Sequence, residues 1–217
     1  LRLHLDIELQ KASAAALGER RGAIVAIDPR SGGVLALVSQ PAYDPNVFVS
    51  GMTASDFSDL STSAYVPLFN RAVNGQYAPG STFKPIVGLA GIGAGVTTWD
   101  QAIEDRGAFQ LSGQERVYRD WSWTKDDSGG QGMVDLRRAI YRSSNVYFYD
   151  LASRMAIEDL VGFAAEFGLG RNLVADIPSA RVGLLPDPAW KQGFKDLPWY
   201  PGDSVNMGIG QGDLLVT

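Results

Sequence analysis

Residues 21–40, RGAIVAIDPRSGGVLALVSQ, hold two β-branched apolar runs separated by Asp-Pro and Gly-Gly, the pattern of a β-hairpin. This stretch constrains the fold more than any other. A two-stranded hairpin is marginal in water unless more strands or a helix complete it. Most of the chain beyond Gln40 reads as helix and loop, so the hairpin reads as the start of an antiparallel sheet flanked by helices. Its remaining strands are expected beyond Thr217, which makes the chain a fragment in this reading. The fold class is α/β, in an α+β arrangement.

The other elements are placed by periodicity. Leu1, Leu3 and Leu5 alternate as a short strand. A helix opens at Asp6, with Leu9, Ala12, Ala16 and Leu17 at helical spacing and Gly18 at its end. Residues 1–40 are thus a helix plus the first hairpin. Residues 40–78 read as loop, and 79–168 as a mostly helical lobe interrupted by an irregular stretch over 96–132. Within that lobe Asp135 caps LRRAIYR, and Val146, Phe148, Tyr149 and Ala152 have helical spacing after Asn145. A further helix, IEDLVGFAAEF, ends at Gly168, and residues 171–203 are a Pro-rich surface excursion.

Composition removes several function classes. The net charge is −5, with no block of like charges, so neither a nucleic-acid footprint nor a basic patch for anionic lipid is present. The absence of cysteine excludes disulfides, thiol catalysis and thiolate metal sites. His4 is the sole histidine, and in LRLHLDIEL it reads as a strand residue, so a Ser-His-Asp triad or a histidine metal site has little to draw on. GIGAG and GIGQG lack the spacing of a phosphate-binding loop. Asp120, Asp126 and Asp127 offer carboxylates to a cation, but with Gln131 and Ser144 nearby instead of His or Cys they read as a solvated loop. Tyr118, Trp121 and Trp123 read as packing under a long loop, with a substrate groove as the alternative.

One stretch carries chemistry. In YAPGSTFKPIVGLA, Pro79-Gly80 forces a turn and the apolar run from Phe83 forms a helix, so Ser81 falls at a helix N-terminus. Lys84, one turn on, shares its face and can reach the Ser81 hydroxyl. Partial burial and the positive end of the helix dipole would depress Lys84 until it serves as a base at neutral pH. The free backbone N–H of Ser81 could stabilise an oxyanion. The spacing itself proves little, because 17 serines and 5 lysines give about 0.4 chance Ser-x-x-Lys matches. A second match, Ser122 to Lys125, has no helix after it. On this stretch alone, Ser81 is equally an N-cap with a solvated lysine beside it. Further on, Ser143-Ser144-Asn145 lies at a break between two helical patterns, where a hydroxyl and an amide can face a cleft. A polar helix junction is the plainer alternative, and Ser204-Val205-Asn206 matches the same Ser-x-Asn pattern.

Taken together, YAPGSTFKP and SSN resemble the penicillin-binding, serine D,D-transpeptidase family, whose motifs are SxxK, SxN and KTG. LDIELQKA, PAYDPN, FNRAVNGQYAPGSTFKP, VDLRRAIYRSSNVYFYDLA and GLLPDPAWK follow in the order of class B members. GLLPDPAWK and PWYPGDSVNMGIGQGDLLVT are similar to the penicillin-binding protein 2 type of the elongation machinery. The resemblance implies a transpeptidase or β-lactamase-like fold, with Ser81 as acylated nucleophile and Lys84 as its general base. Ser143 would relay the proton, Asn145 would bind the substrate peptide, and neither metal nor cofactor would be needed. It also implies peptidoglycan stem peptides as substrate and β-lactam antibiotics as acylating ligands. Expected partners are a membrane glycan polymerase and elongation scaffold proteins, with no nucleic acid. The expected location is the periplasmic face of the bacterial inner membrane, through an N-terminal helix upstream of Leu1. The KTG motif is absent from the 217 residues, and in this reading it lies beyond Thr217. A β-lactam sensor or scaffold on the same fold, or a serine β-lactamase, are the alternatives.

Overall fold

The computed structural model describes residues 2–126, 129–174, 176–177 and 179–217. The chain divides into two compact units, Leu1–Gln76 with Val174–Arg181 and Thr217, and Tyr77–Leu173 with Val182–Val216.

The first unit is built on the hairpin. Strands β1 (Gly22–Ile27) and β2 (Val34–Gln40) pair antiparallel, from Gly22 opposite Gln40 to Ile27 opposite Val34, with a register irregularity at Ala26/Ile27. Helix α1 (Ile7–Leu17) precedes them, with the Asp6 carboxylate accepting from the Glu8 and Leu9 N–H groups. The stripe expected to be buried on α1 is not. Ala12 and Ala16 are exposed, and the helix turns Gln10 and Ser13 inward instead. Gln10 explains the choice: its Nε2 donates to Leu37 O and its Oε1 accepts from Leu37 N, both at 2.8 Å, extending the β2 ladder with a side-chain amide. Residues 2–5 form no strand, and Leu3 is 62% exposed. Leu1 lies outside the described residues.

The expected loop over 40–78 is largely helical: α2 (Asn46–Ser50), α3 (Ala54–Thr62) and α4 (Arg71–Asn74). A capping box between Thr53 and Asp56 starts α3 despite its polar sequence. The Arg71 guanidinium is buried against the carbonyls of Tyr65, Val66 and Phe69, which ties down the loop ahead of it.

The second unit opens with a 3₁₀ turn (Gly80–Phe83) that runs into α5 (Lys84–Gly93). Where irregular chain was expected, four three-residue strands occur: β3 (Ile103–Asp105), β4 (Ala108–Gln110), β5 (Val117–Arg119) and β6 (Gly132–Val134). β3 pairs with β6 and β4 with β5, both antiparallel. Then come α6 (Leu136–Arg142), capped by Asp135 as expected, α7 (Asn145–Arg154), α8 (Ile157–Glu166), α9 (Pro188–Lys195) and α10 (Pro201–Met207). The Pro-rich stretch is therefore partly helical, and each of its two helices carries Pro in the first turn.

Helix α7 is the centre of this unit. Val146, Tyr147, Phe148, Tyr149, Leu151 and Ala152 are all buried, so the helix is apolar around nearly its whole circumference and other elements must cover it. Those elements are α5 through Val87 and Ala90 and α10 through Val205 and Met207, while α8, with Leu160 and Ala164 buried, packs on α5. At Gly91 of α5 a Cβ would stand 2.8 Å from Leu151 Cδ1, so glycine there sets how closely α5 approaches α7. Among the described residues no helix is long and apolar enough to cross a membrane.

Candidate active site

Three local features converge in the second unit. The first is the turn carrying Ser81. Gly80 takes φ +57, and its N–H donates to Gly210 O at 2.8 Å, which pins the turn to the GIGQG segment. Ser81 occupies the opening turn of the helical run, where backbone N–H groups lack intrahelical acceptors, and its side chain is exposed. The second is Lys84. It begins α5 on the face of Val87, which is buried, and so is drawn inward until it is 1% exposed, with Nζ 5.5 Å from the centre of the Phe148 ring. The third is the break between α6 and α7. Ser143 caps α6 in the left-handed conformation (φ 55, ψ 41), Ser144 caps α7 by accepting from Tyr147 N, and Asn145 opens α7. A non-glycine residue at this φ is uncommon, and here it turns the Ser143 hydroxyl out of both helices.

The structure brings Ser81, Lys84, Ser143 and Asn145 together. Lys84 Nζ donates to Ser143 O at 2.8 Å, Ser143 Oγ at 3.1 Å and Asn145 Oδ1 at 2.7 Å. An ammonium has three donors, so all are occupied and none is left for Ser81. The expected direct contact between Lys84 and Ser81 is thus replaced by a relay, in which Ser143 Oγ donates to Ser81 Oγ at 2.9 Å. Burial lowers Lys84 from its ordinary 10.5 to about 8, against the opposing pull of the Asp120 and Asp105 charges. A lysine at that value is neutral in a usable fraction of molecules near pH 7.

Asp105 and Asp120 are the residues that sequence reasoning missed in this role. Asp120 was expected in a solvated loop; it is 6% exposed, and Asp105 is 2% exposed. Burial pushes the Asp105 carboxyl up, with hydrogen bonds from Ser144 and Gly107 pulling the other way. Burial, followed by the Asp120 charge, pushes the Tyr149 hydroxyl up to about 12. A signal existed in the period-2 pattern: Asp105 shares a face with Ile103 and Asp120 with Tyr118, and both partners are apolar residues turned inward. Asp126 is exposed, and Asp127 lies outside the described residues.

The competing matches form no site. Ser122 donates its hydroxyl to Asp120 Oδ2 at 3.1 Å, in an irregular segment with Lys125 exposed. Ser204 accepts from Trp199 Nε1 at 2.9 Å at the start of α10. Tyr118 joins the core, whereas Trp121 is 69% exposed with its indole N–H on Arg142 O. Trp123 lies under the Arg119 guanidinium, 4.4 Å from its ring centre.

Comparisons with known proteins agree with this arrangement. Residues 22–217 match the family described as the penicillin binding protein transpeptidase domain. Peptidoglycan D,D-transpeptidase MrdA of Acinetobacter baumannii is 43% identical over 217 residues, covering 100% of this chain and 32% of that protein. MrdA of Escherichia coli is 42% identical over 211 residues, covering 97% of this chain and 32% of its own length. The chain therefore spans about a third of the length of these relatives. Among solved structures, Pseudomonas aeruginosa PBP2 in complex with WCK 5153 superposes with a TM-score of 0.93 at 45% identity, covering 99% of this chain and 46% of that one. Helicobacter pylori PBP2 in its complex with MreC gives a TM-score of 0.92 at 34% identity, covering 98% of this chain and 38% of that one. With the profile covering nearly its whole length and the SxxK and SxN side chains in mutual contact, this chain belongs to the penicillin-binding protein transpeptidase domain family.

Proposed function

We propose that this chain forms the nucleophile-bearing part of a peptidoglycan D,D-transpeptidase that is also acylated by β-lactams. The observation that carries the reading is the continuous hydrogen-bonded path from Ser81 Oγ through Ser143 Oγ to Lys84 Nζ. With Lys84 neutral, the path runs in reverse. The Ser81 hydroxyl proton passes to Ser143 Oγ as the Ser143 proton passes to Nζ, while Ser81 Oγ bonds to the penultimate D-Ala carbonyl carbon. The carbonyl electrons collapse back, the peptide C–N bond breaks, and terminal D-Ala leaves as Lys84 returns the proton through Ser143 Oγ to its nitrogen. The amine of a second stem peptide then attacks the ester, releases Ser81 and completes a cross-link. The Ser81 backbone N–H stabilises the developing oxyanion, and Asn145, anchored by its contact with Lys84, binds the peptide backbone of the substrate. In a β-lactam the leaving amine stays tethered to the acyl group, so the adduct persists.

The named relatives support the same substrate class. The H. pylori complex with MreC, and a solved peptidoglycan synthase complex that also matches this chain, support partners among elongation scaffolds and glycan polymerases; the periplasmic face of the inner membrane is the location that goes with this reading. The test is intact mass of the full-length protein after incubation with penicillin, with Ser81→Ala as control. A stable penicilloyl adduct lost in the variant is expected. No adduct on a folded protein would refute the enzymatic reading in favour of a scaffold, and rapid release of hydrolysed penicillin would make it a β-lactamase.

A further inference from the structure

The α2–α3 segment of the first unit is the part of that unit least explained by its own packing. Neither α2 nor α3 contains a buried residue. Helices of five and nine residues are marginal in water unless an apolar face packs against something. The side chains they show to solvent are nonetheless apolar in part: Phe48 and Phe57 are half-exposed, and Val49 is 88% exposed. In the same unit lies a cavity of about 700 Å³ lined by the rings of Tyr43 and Tyr65 and by four carboxylates, Glu19, Asp44, Asp56 and Asp59. The Tyr43 ring joins the cavity to the apolar side chains, because Phe48 packs edge-on against it at 5.6 Å.

One wall of the cavity is a face of α3, on which Asp56, Asp59, Leu60 and Ser63 follow at helical spacing. Two carboxylates three residues apart on one face repel each other. Hydrogen bonds from Thr53 hold Asp56 below the ordinary carboxylate range, so it stays charged. Among the described residues no lysine or arginine pairs with any of the four acids, and residues 31–70 contain no Lys, Arg or His. The arginines flanking that stretch are spent elsewhere, Arg30 on Asp28 and Arg71 on the carbonyls of Tyr65, Val66 and Phe69. The Arg71 bonds hold Val66 at φ +49, a value rare for a β-branched residue, with Tyr65 turned outward at 65% exposure. The Tyr65 rim is thus preformed.

We propose that this groove is a docking site for a basic segment of a partner protein. Lysine or arginine side chains of the segment enter the carboxylate-lined cavity, and its apolar side chains cover Phe48, Val49 and Phe57. Charge selects the occupant: carboxylates without a basic partner, beside two tyrosine rings, attract cations by ion pairing and through the ring faces. A small free cation would leave the apolar side chains in water, whereas a peptide segment covers both. An anionic membrane surface would meet like charge. The site lies wholly within the first unit and does not depend on the acyl-transfer reading.

The probe is a fluorescein-labelled peptide of alternating arginine and leucine, titrated against the full-length protein, with the glutamate–leucine peptide as control. Saturable binding of the basic peptide alone is expected, with slower hydrogen exchange over residues 46–62 as α2 and α3 gain a partner. Glu19→Gln/Asp59→Asn keeps the side-chain sizes and removes two carboxylates that, among the described residues, make no hydrogen bond. It should weaken the peptide at least about five-fold. Glu158→Gln/Asp159→Asn, at exposed positions of α8 in the other unit, removes the same net charge and should leave binding unchanged. Equal weakening by the two variants would mean attraction to net charge only and overturns the site. So does an absence of saturable binding, or exchange protection that falls outside 46–62. Sedimentation of the wild type, but not of Phe48→Ser/Phe57→Ser, with phosphatidylglycerol vesicles would give the face to a membrane and overturn the partner reading. The wild-type exchange footprint needs no folded variant, and none of these readouts requires acylation, so failure of the transpeptidase reading would leave them standing.

Discussion

Replacing Lys84 with methionine tests the depressed lysine by thermodynamics instead of turnover. Lys84 is lowered to about 8 from 10.5, burial being the main cause, so its folded value lies below its unfolded one. Below about pH 8 both states hold the proton, and the folded state bears the full cost of the buried ammonium. Between about 8 and 10.5 the unfolded chain holds a proton that the folded chain has released, so this group adds stability as pH rises. The shift corresponds to about 3 kcal/mol, which partial solvent screening reduces to ~2 kcal/mol. Methionine has similar length and no proton, so the variant lacks this climb. Leaving Ser143 O and Asn145 Oδ1 without their donor adds an offset of about 1–3 kcal/mol each, nearly the same at every pH. The slope is therefore the diagnostic quantity. The unfolding free energy of wild type minus that of Lys84→Met, from urea titrations of the full-length protein, should rise by ~2 kcal/mol from about pH 7 to about pH 10.5. Titrating groups that do not interact with Lys84 cancel in the difference. A flat difference would show that Lys84 is not depressed and would remove it as the base. Lys84→Ala should in parallel acylate at least ~10²-fold more slowly with the fold retained.

Four other outcomes rest on single residues. Ser143→Ala removes the hydroxyl joining Ser81 to Lys84 and should slow acylation about 10²-fold; an unchanged rate would show a direct transfer. Ser143→Gly should lose as much rate yet melt higher than the alanine variant, because glycine accepts φ +55 without the ~1 kcal/mol penalty. In Gly210→Ala, at φ +69, the new Cβ would stand 2.2 Å from Gly80 O and 2.8 Å from Gly80 N, both backbone. The turn bearing Ser81 must then shift, so a loss of at least ~2 kcal/mol together with loss of acylation is expected, and a wild-type melting curve with wild-type acylation would refute it. Gln10→Ala unpairs Leu37 N and O and should lower stability by about 1–2 kcal/mol in urea unfolding, whereas an unchanged midpoint would mean water replaces the amide.

What was legible in the sequence was local. The hairpin, the Asp6 and Asp135 caps, the Pro79-Gly80 turn and the break at Ser143 each arise from residues within a few positions of one another, and each is present. Elements whose stability comes from elsewhere were read poorly. Polar α3 depends on one capping box, and the short strands over 103–134 exist through pairings with chain 7 to 31 residues away. The apolar stripe of α1 misled because the hairpin edge recruits Gln10, a hydrogen-bonding residue that periodicity counts as polar and outward. Ser81 and Lys84 were found as a pair, but the order of contacts, with Ser143 between them, depends on a left-handed residue 59 positions from Lys84 that propensity does not foresee.

The two missed acids have a deeper connection to the motif than a packing accident. A chain with no cysteine and a lone histidine at position 4 has few groups able to accept a proton near neutral pH. A lysine can serve only if burial lowers it, yet a buried ammonium must find acceptors or the fold will not hold it. Ser143 O and Asn145 Oδ1 are those acceptors, and both are presented by the helix break. A break exposes N–H groups of its own, and these are met from behind by Asp120 at Asn145 N, while Asp105 holds the Ser144 cap. The same two carboxyl groups oppose the burial effect and keep Lys84 near 8 instead of lower. Lysine, break and acids thus require one another: remove the acids and the break loses its ties, remove the break and the lysine cannot stay buried. The motif in the sequence is the exposed end of that dependency, which is why the SxxK and SxN letters were read and the residues supporting them, marked only by a short period-2 pattern, were missed.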